Sequence, residues 1–203
     1  MEFWQNWATE RSWKALLGLR RSYEFTLLEG WAIYLYTKTM KSVDIDLIME
    51  RDQLWRFSSE YPLKKTEFFR KYEARVEGVA VDIYVPYYSR LAIPPEDVTK
   101  MTLIVEGFKV PEPEVLLILK QDVASSRIAS VKGTKERVDI LALLLRAELD
   151  FDEYRDLLKR YGLLQFREEL RDIVSRASKE FSYLGIEDPR RIKPLKKSFL
   201  SKI

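Results

Sequence analysis

The spacing of apolar residues changes once along this chain, near residue 110, and that change limits the folds open to it. Before it, short segments alternate apolar and polar residues, the pattern of strands with one buried face. Val43 to Met49 sets Val43, Ile45 and Leu47 on one face and Asp44, Asp46 and Ile48 on the other. Val79 to Tyr87 repeats the logic, with Val81, Ile83 and Val85 opposite Ala80, Asp82 and Tyr84. After residue 110 the spacing is helical, over 113–129, 134–147, 151–161 and 165–183, with breaks expected at Gly133, Asp150 and Gly162. The expectation is an α/β lobe over 1–110 followed by an all-α lobe over 111–203.

Smaller signals fill in the rest. A helix from about Thr9 is expected to bury an aromatic stripe that includes Trp13. Phe25 to Leu28 reads as a short strand, and Glu29-Gly30 turns it into a helix from Trp31 to about Lys38. Residues 51–60 read as an amphipathic helix using Leu54, Trp55 and Phe57, and Thr66 to Val76 as one or two strands. Pro86, Pro94 and Pro95 mark a loop. Residues 101–110 form a hairpin turning at Glu106-Gly107. Pro111 to Glu114 opens a helix, and Asp150 with Glu153 approximates a capping box. The segment Arg190 to Ile203, with six Lys/Arg and no acid, reads as a solvated basic terminus, with phosphate anchoring as the alternative.

Composition narrows the chemistry. The chain has no cysteine and no histidine, which removes disulfides, thiolate and Ser-His mechanisms, and His-ligated metals. Asp, Glu, Lys, Arg, Tyr and Ser remain, a set suited to metal chemistry through oxygen ligands. No apolar run is long enough for a bilayer, and the N-terminus lacks a signal-peptide core, so a cytoplasmic location and no membrane partner are expected. A single Asn beside 33% charged residues is the bias of heat-adapted proteins, which suggests a thermophilic source.

Asp44 and Asp46 stand two residues apart on one strand, so their carboxylates share a face. Asp82 has the same placement on another strand. If those strands are neighbours, the three carboxylates converge and repel, and a divalent cation, Mg²⁺ or Mn²⁺, offsets the repulsion. Such a site can align a phosphoryl or nucleotidyl group. Asp82 is the natural base for an attacking hydroxyl. The plain alternative is three solvent-facing aspartates.

With Leu28-Glu29-Gly30 ahead of them, Asp44-Ile45-Asp46 and Val81-Asp82-Ile83 resemble the DNA-polymerase-β-like nucleotidyltransferase superfamily. The toxin-type AbiEii/MenT-like branch looks closest, because Leu119-Lys120, Ala124, Arg127 and the run from Lys135 to Ile140 with Asp139 are similar to its helical half. The resemblance covers about residues 25–145. It implies an α/β (α+β) nucleotidyltransferase fold with a mixed sheet followed by a helical lobe. It also implies a nucleoside triphosphate such as ATP as substrate, held by Gly30, Ser42, Lys120, Arg127 and Asp139, with Asp44, Asp46 and Asp82 as metal ligands. Lys38 and Lys41 are expected to add positive charge there, and Lys132 and Lys135 to touch nucleotide or acceptor. An Arg127–Asp139 pair that only holds the lobe together is the plain alternative. The implied acceptor is an RNA 3′ end, such as tRNA, or a protein hydroxyl, and the implied partner is an antitoxin protein.

The family carries paired small residues where this chain has Glu29-Gly30. A glutamate there sets negative charge near the expected phosphates. A binding module on the same fold, impaired in turnover, is therefore the rival reading.

Overall fold

The computed structural model describes residues 6–67, 70–126 and 131–203. The chain divides into two compact units, Glu2–Glu112 and Pro113–Ile203.

The N-terminal unit is a mixed sheet with helices. Its elements in order are α1 (Asn6–Ser22), β1 (Thr26–Leu28), α2 (Glu29–Thr37), β2 (Ile45–Ile48), α3 (Arg51–Glu60), β3 (Lys64–Thr66), β4 (Lys71–Val76), β5 (Val79–Tyr84), α4 (Pro95–Val98), β6 (Thr102–Val105) and β7 (Phe108–Pro111). Among the described residues the sheet has seven strands in the order β3-β4-β5-β2-β1-β7-β6. β2 runs parallel to β5 and β1 parallel to β7, while the other neighbours are antiparallel. The two edges differ in chemistry. β3 is Lys64-Lys65-Thr66, whereas β6 turns Leu103 and Ile104 to solvent, Ile104 at 70% exposure.

α2 carries an apolar sequence all round, Gly-Trp-Ala-Ile-Tyr-Leu, which suits a helix with little free face. Gly30, Trp31, Ala32, Ile33 and Leu35 are buried, and Trp31 Nε1 donates to Ser12 Oγ of α1 at 2.8 Å. Trp13 packs on Trp31 with ring centroids 5.0 Å apart but is only half-buried, and Trp7 stands 62% exposed, so α1 buries mainly Ala15, Leu16 and Leu19 rather than an aromatic stripe. Two hairpins close on Glu-Gly turns. Glu77-Gly78 joins β4 to β5 and Glu106-Gly107 joins β6 to β7, each with both residues at positive φ. Such two-residue turns match strand twist.

The C-terminal unit is helical: α5 (Pro113–Ser126), α6 (Val131–Arg146), α7 (Phe151–Arg160), α8 (Gln165–Arg176), α9 (Lys179–Tyr183) and α10 (Pro189–Lys202). Asp150 caps α7 by accepting from the N–H groups of Asp152 and Glu153. A buried network ties α5, α7 and α8, with Gln121 Nε2 donating to Phe166 O at 2.7 Å and Tyr154 Oη to Gln121 Oε1 at 2.8 Å.

Several sequence expectations need correcting. Gly133 does not break a helix; it lies inside α6, where one glycine costs only about 1 kcal/mol relative to Ala. Residues 165–183 form two helices, because the backbone leaves helical geometry at Ala177 and Ser178. Trp55 does not help bury α3 but stands 77% exposed. Residues 95–98 of the proline-marked loop are a helical turn. The basic segment is no loose terminus: it forms α10, with Phe199 and Ile203 buried. No helix among the described residues is long and apolar enough to cross a membrane.

Candidate functional site

β2 and β5 are adjacent and parallel, with Asp46 paired to Asp82. Directly paired residues share a sheet face, and their strands lie about 4.8 Å apart. The row extends both ways across the sheet: Leu28 of β1 pairs with Asp46, and Glu73 of β4 pairs with Asp82. Three carboxylates and the strand end that launches α2 therefore stand at one level of one face.

Asp44 precedes β2 rather than lying within it, in an exposed bend. The strand expected over Val43–Met49 is Ile45–Ile48 in the structure, two residues shorter at its start and one at its end, because ladder pairing begins at Ile45. Asp44 is still close enough that its charge raises the Asp82 pKa.

Asp82 has the most informative environment. Burial is the largest influence and pushes its carboxyl above the ordinary value. The Lys71 ammonium opposes this by hydrogen bond and charge, and Glu73 and Asp44 add repulsion in the upward direction. Lys71 sits two residues before Glu73 on β4, hence on the same face. Its Nζ is paired with Asp82 Oδ2 and lies 3.6 Å from Glu73 Oε1. Sequence reasoning named neither Lys71 nor Glu73. The signal was available: a two-residue turn at Glu77-Gly78 fixes the register that sets Glu73 opposite Asp82.

The N-terminus of α2 opens directly after Leu28, whose side chain supplies no cap to the first-turn N–H groups. An open helix N-terminus with a buried glycine in its first turn is an anion-binding geometry. Glu29 is the first helical residue, with φ of 52°. A carboxylate there is favoured by the helix dipole, which gives Glu29 a reason to exist without any ligand. Ser42 is buried. Lys38 caps the other end of α2 in left-handed conformation and pairs with Glu106 at 2.5 Å. Lys38 follows Glu29 by nine residues, roughly 13 Å along the helix axis, so it is not placed to help at the helix start. Lys41 is exposed.

The remaining predicted residues lie in the C-terminal unit. Lys120 of α5 donates to Glu136 of α6 at 2.6 Å and lies 3.4 Å from Asp139, which also receives Lys135 at 2.8 Å. All four side chains are buried, so two lysines and two acids form a neutral cluster. The oxygens of Asp139 are unequally used, since buried Oδ1 has no hydrogen-bond partner among the described residues. Arg127 lies outside the described residues, as does the Lys132 side chain.

Carboxylate oxygens at Asp46, Asp82 and Asp44, without nitrogen or sulfur donors, match a hard divalent cation. No group of three acids among the described residues is close enough to enclose one. Mg²⁺ does not need such a cage, because it binds through one or two carboxylates with substrate phosphates and water. The donor set therefore fits this ion, with Lys71 supplying the positive charge at Asp82.

No protein-family model matches the chain, and no curated protein matches it. Solved structures do. ANT(2″)-Ia in complex with adenylyl-2″-tobramycin aligns with a TM-score of 0.52 at 14% identity, covering 76% of this chain and 96% of that one. A candidate nucleotidyltransferase from Helicobacter pylori aligns at 0.51 and 15%, covering 98% of both chains. The H. pylori protein JHP933 aligns at 0.50 and 15%, over 98% of this chain and 95% of that one. At these identities the likeness concerns architecture alone, a mixed sheet with helices followed by a helical second unit. The chain has a nucleotidyltransferase fold.

Proposed function

We propose that this protein is a nucleotidyltransferase that moves a nucleoside monophosphate from a nucleoside triphosphate to a hydroxyl acceptor with the help of Mg²⁺ or Mn²⁺. The observation that carries this reading is the in-register pair Asp46–Asp82 beside the open N-terminus of α2. In the reaction the acceptor oxygen forms a bond to the α-phosphorus, the α–β phosphoanhydride bond breaks, and pyrophosphate leaves. The acceptor proton passes to the Asp82 carboxylate, whose raised pKa improves it as a base. The first-turn N–H groups of α2, with Gly30 allowing close approach, receive triphosphate oxygens. Asp44, Asp46 and Asp82 would hold the cation, which when bound neutralises phosphate charge and favours the entering and leaving oxygens. Ser42, Lys120, Arg127 and Asp139 belong to the nucleotide site by sequence resemblance. An RNA 3′ end such as tRNA or a protein hydroxyl as acceptor, and an antitoxin as partner, rest on the same resemblance.

The test is transfer of label from each α-labelled triphosphate to tRNA or protein with Mg²⁺ or Mn²⁺. Asp82→Asn is expected to lower the rate by about 10²–10⁴, as loss of a general base does. Asp44→Ala/Asp46→Ala is expected to abolish transfer without lowering the melting temperature. Absence of transfer from every triphosphate by the wild type would instead favour a catalytically impaired binding module. Two observations favour that second reading: Lys71 already neutralises Asp82, and Glu29 places a carboxylate at the phosphate-binding helix end.

A further inference from the structure

The chain's net charge of +3 conceals a segregation. The last fifteen residues hold six Lys/Arg and no acid, leaving 29 basic against 32 acidic residues elsewhere, a net charge of −3. The structure builds this basic segment into α10 and fixes it in place. Arg155 donates to Lys202 O at 2.8 Å, Arg171 to Leu200 O at 3.0 Å, and Arg167 to Ile203 O at 2.7 Å. These three guanidinium groups occupy carbonyls that a helix end leaves unpaired.

Arg190, Lys193 and Lys197 stand at i, i+3 and i+7, one exposed stripe about 10 Å long. None of the three forms an ion pair with a described residue. The nearby Asp188 is turned to its own helix, accepting from Arg190 N at 2.8 Å, and Glu187 lies one residue further back. Lys196 is committed to Ser175 O at 2.9 Å. A fixed row of free cations on an otherwise acidic molecule suits a polyanion with regularly spaced charges. A membrane surface is the poorer fit, because an interfacial helix needs a free apolar face and α10 buries Phe199 and Ile203.

We propose that the Arg190–Lys193–Lys197 face of α10 docks the phosphate backbone of RNA, making RNA the class of acceptor. The choice of acceptor rests on the nucleotidyl-transfer reading; the docking does not. The experiment measures anisotropy of fluorescein-labelled tRNA, without triphosphate, between 50 and 200 mM salt. Wild type is compared with Arg190→Gln/Lys193→Gln/Lys197→Gln and with a charge-matched control, Lys14→Gln/Arg21→Gln/Arg51→Gln. The α10 variant is expected to bind about tenfold or more weakly, with the slope of log K against log salt shallower by about 2, while the control keeps wild-type behaviour. Unchanged melting temperatures confirm that both variants fold. Equal binding by wild type and the α10 variant, equal loss in the control, or wild-type binding to phosphatidylserine vesicles but not tRNA would each overturn the proposal. Failure to transfer label while the α10 variant loses tRNA binding would sink the enzymatic reading and leave the docking intact. Transfer to tRNA at wild-type efficiency by the α10 variant would do the reverse.

Discussion

Lys71 answers a question that the aspartates raise by themselves, namely how a sheet tolerates Asp46, Asp82 and Glu73 in one row. Its ammonium is an internal counterion, and its side chain is only 12% exposed. Removing one partner of a part-buried pair leaves the other uncompensated, so Lys71→Met is expected to cost about 1–2 kcal/mol without divalent cation. Added Mg²⁺ should then raise the melting temperature of the variant more than that of the wild type. Thermal melts with and without Mg²⁺ measure this, and an equal shift for both proteins would show that Lys71 and the ion do not share a role. Asp46 and Asp82 were legible in the sequence because alternation assigns faces within a strand. Lys71 and Glu73 were not read, since a face shared between strands depends on register, which period-two alternation does not carry.

The chain uses the dipeptide Glu-Gly three times, and the structure gives it two jobs. At Glu77-Gly78 and Glu106-Gly107 it is a hairpin turn, and at Glu29-Gly30 it begins a helix, with each glutamate at φ near 50°. That left-handed conformation disfavours a residue with a Cβ. At Glu77 an asparagine tolerates it better, so Glu77→Asn is expected to stabilise the protein by about 0.5–1 kcal/mol in denaturant melts. Gly78 is best kept as glycine because its φ of 80° strains any residue with a Cβ. The hairpin at Glu106-Gly107 was read correctly because apolar runs flank it closely on both sides. At Glu77-Gly78 the flanking strands were legible, ending at Val76 and resuming at Val79, but not their pairing as a hairpin, since in β4 Lys71, Glu73 and Arg75 alternate with Tyr72, Ala74 and Val76 and leave a weak apolar face to match. The helical half was legible as helices and in its breaks at Asp150 and Gly162, but not at Gly133 or at Ala177-Ser178. Gly133 is absorbed by α6, while Ala177 and Ser178, with no glycine or proline, end α8. Packing overrides propensity at both places.

At the scale of the whole molecule, charge marks out distinct regions. Within the C-terminal unit Arg137 of α6 holds Glu180 of α9 at 2.9 Å. Burial alone would raise the Glu180 pKa, but Arg137 and the N–H groups of Ser178 and Glu180 outweigh it and hold the carboxyl below its ordinary value. A depressed carboxylate pKa contributes stability above the unfolded-state pKa of about 4.3, and the contribution disappears as pH falls through the lower folded value. Glu180→Gln should therefore be less stable than wild type at pH 7, with the gap closing below the ordinary carboxylate range. Urea melts across pH 3–7 read this directly, and a gap constant with pH would rule out the ionised carboxylate as its source.

The two margins of the sheet also set how the protein behaves at high concentration. The lysines of β3 make that margin a poor template for another chain. β6, with Leu103 and Ile104 outward and no charge between Thr102 and Val105, has no such protection. Concentrated samples are expected to self-associate along β6, adding strand to strand in a way unrelated to any biological partner. Ile104→Lys should lower static light scattering at high protein concentration and leave the melting temperature within about 1 °C of wild type, as surface substitutions usually do. Scattering that persists in the variant would locate the sticky surface elsewhere.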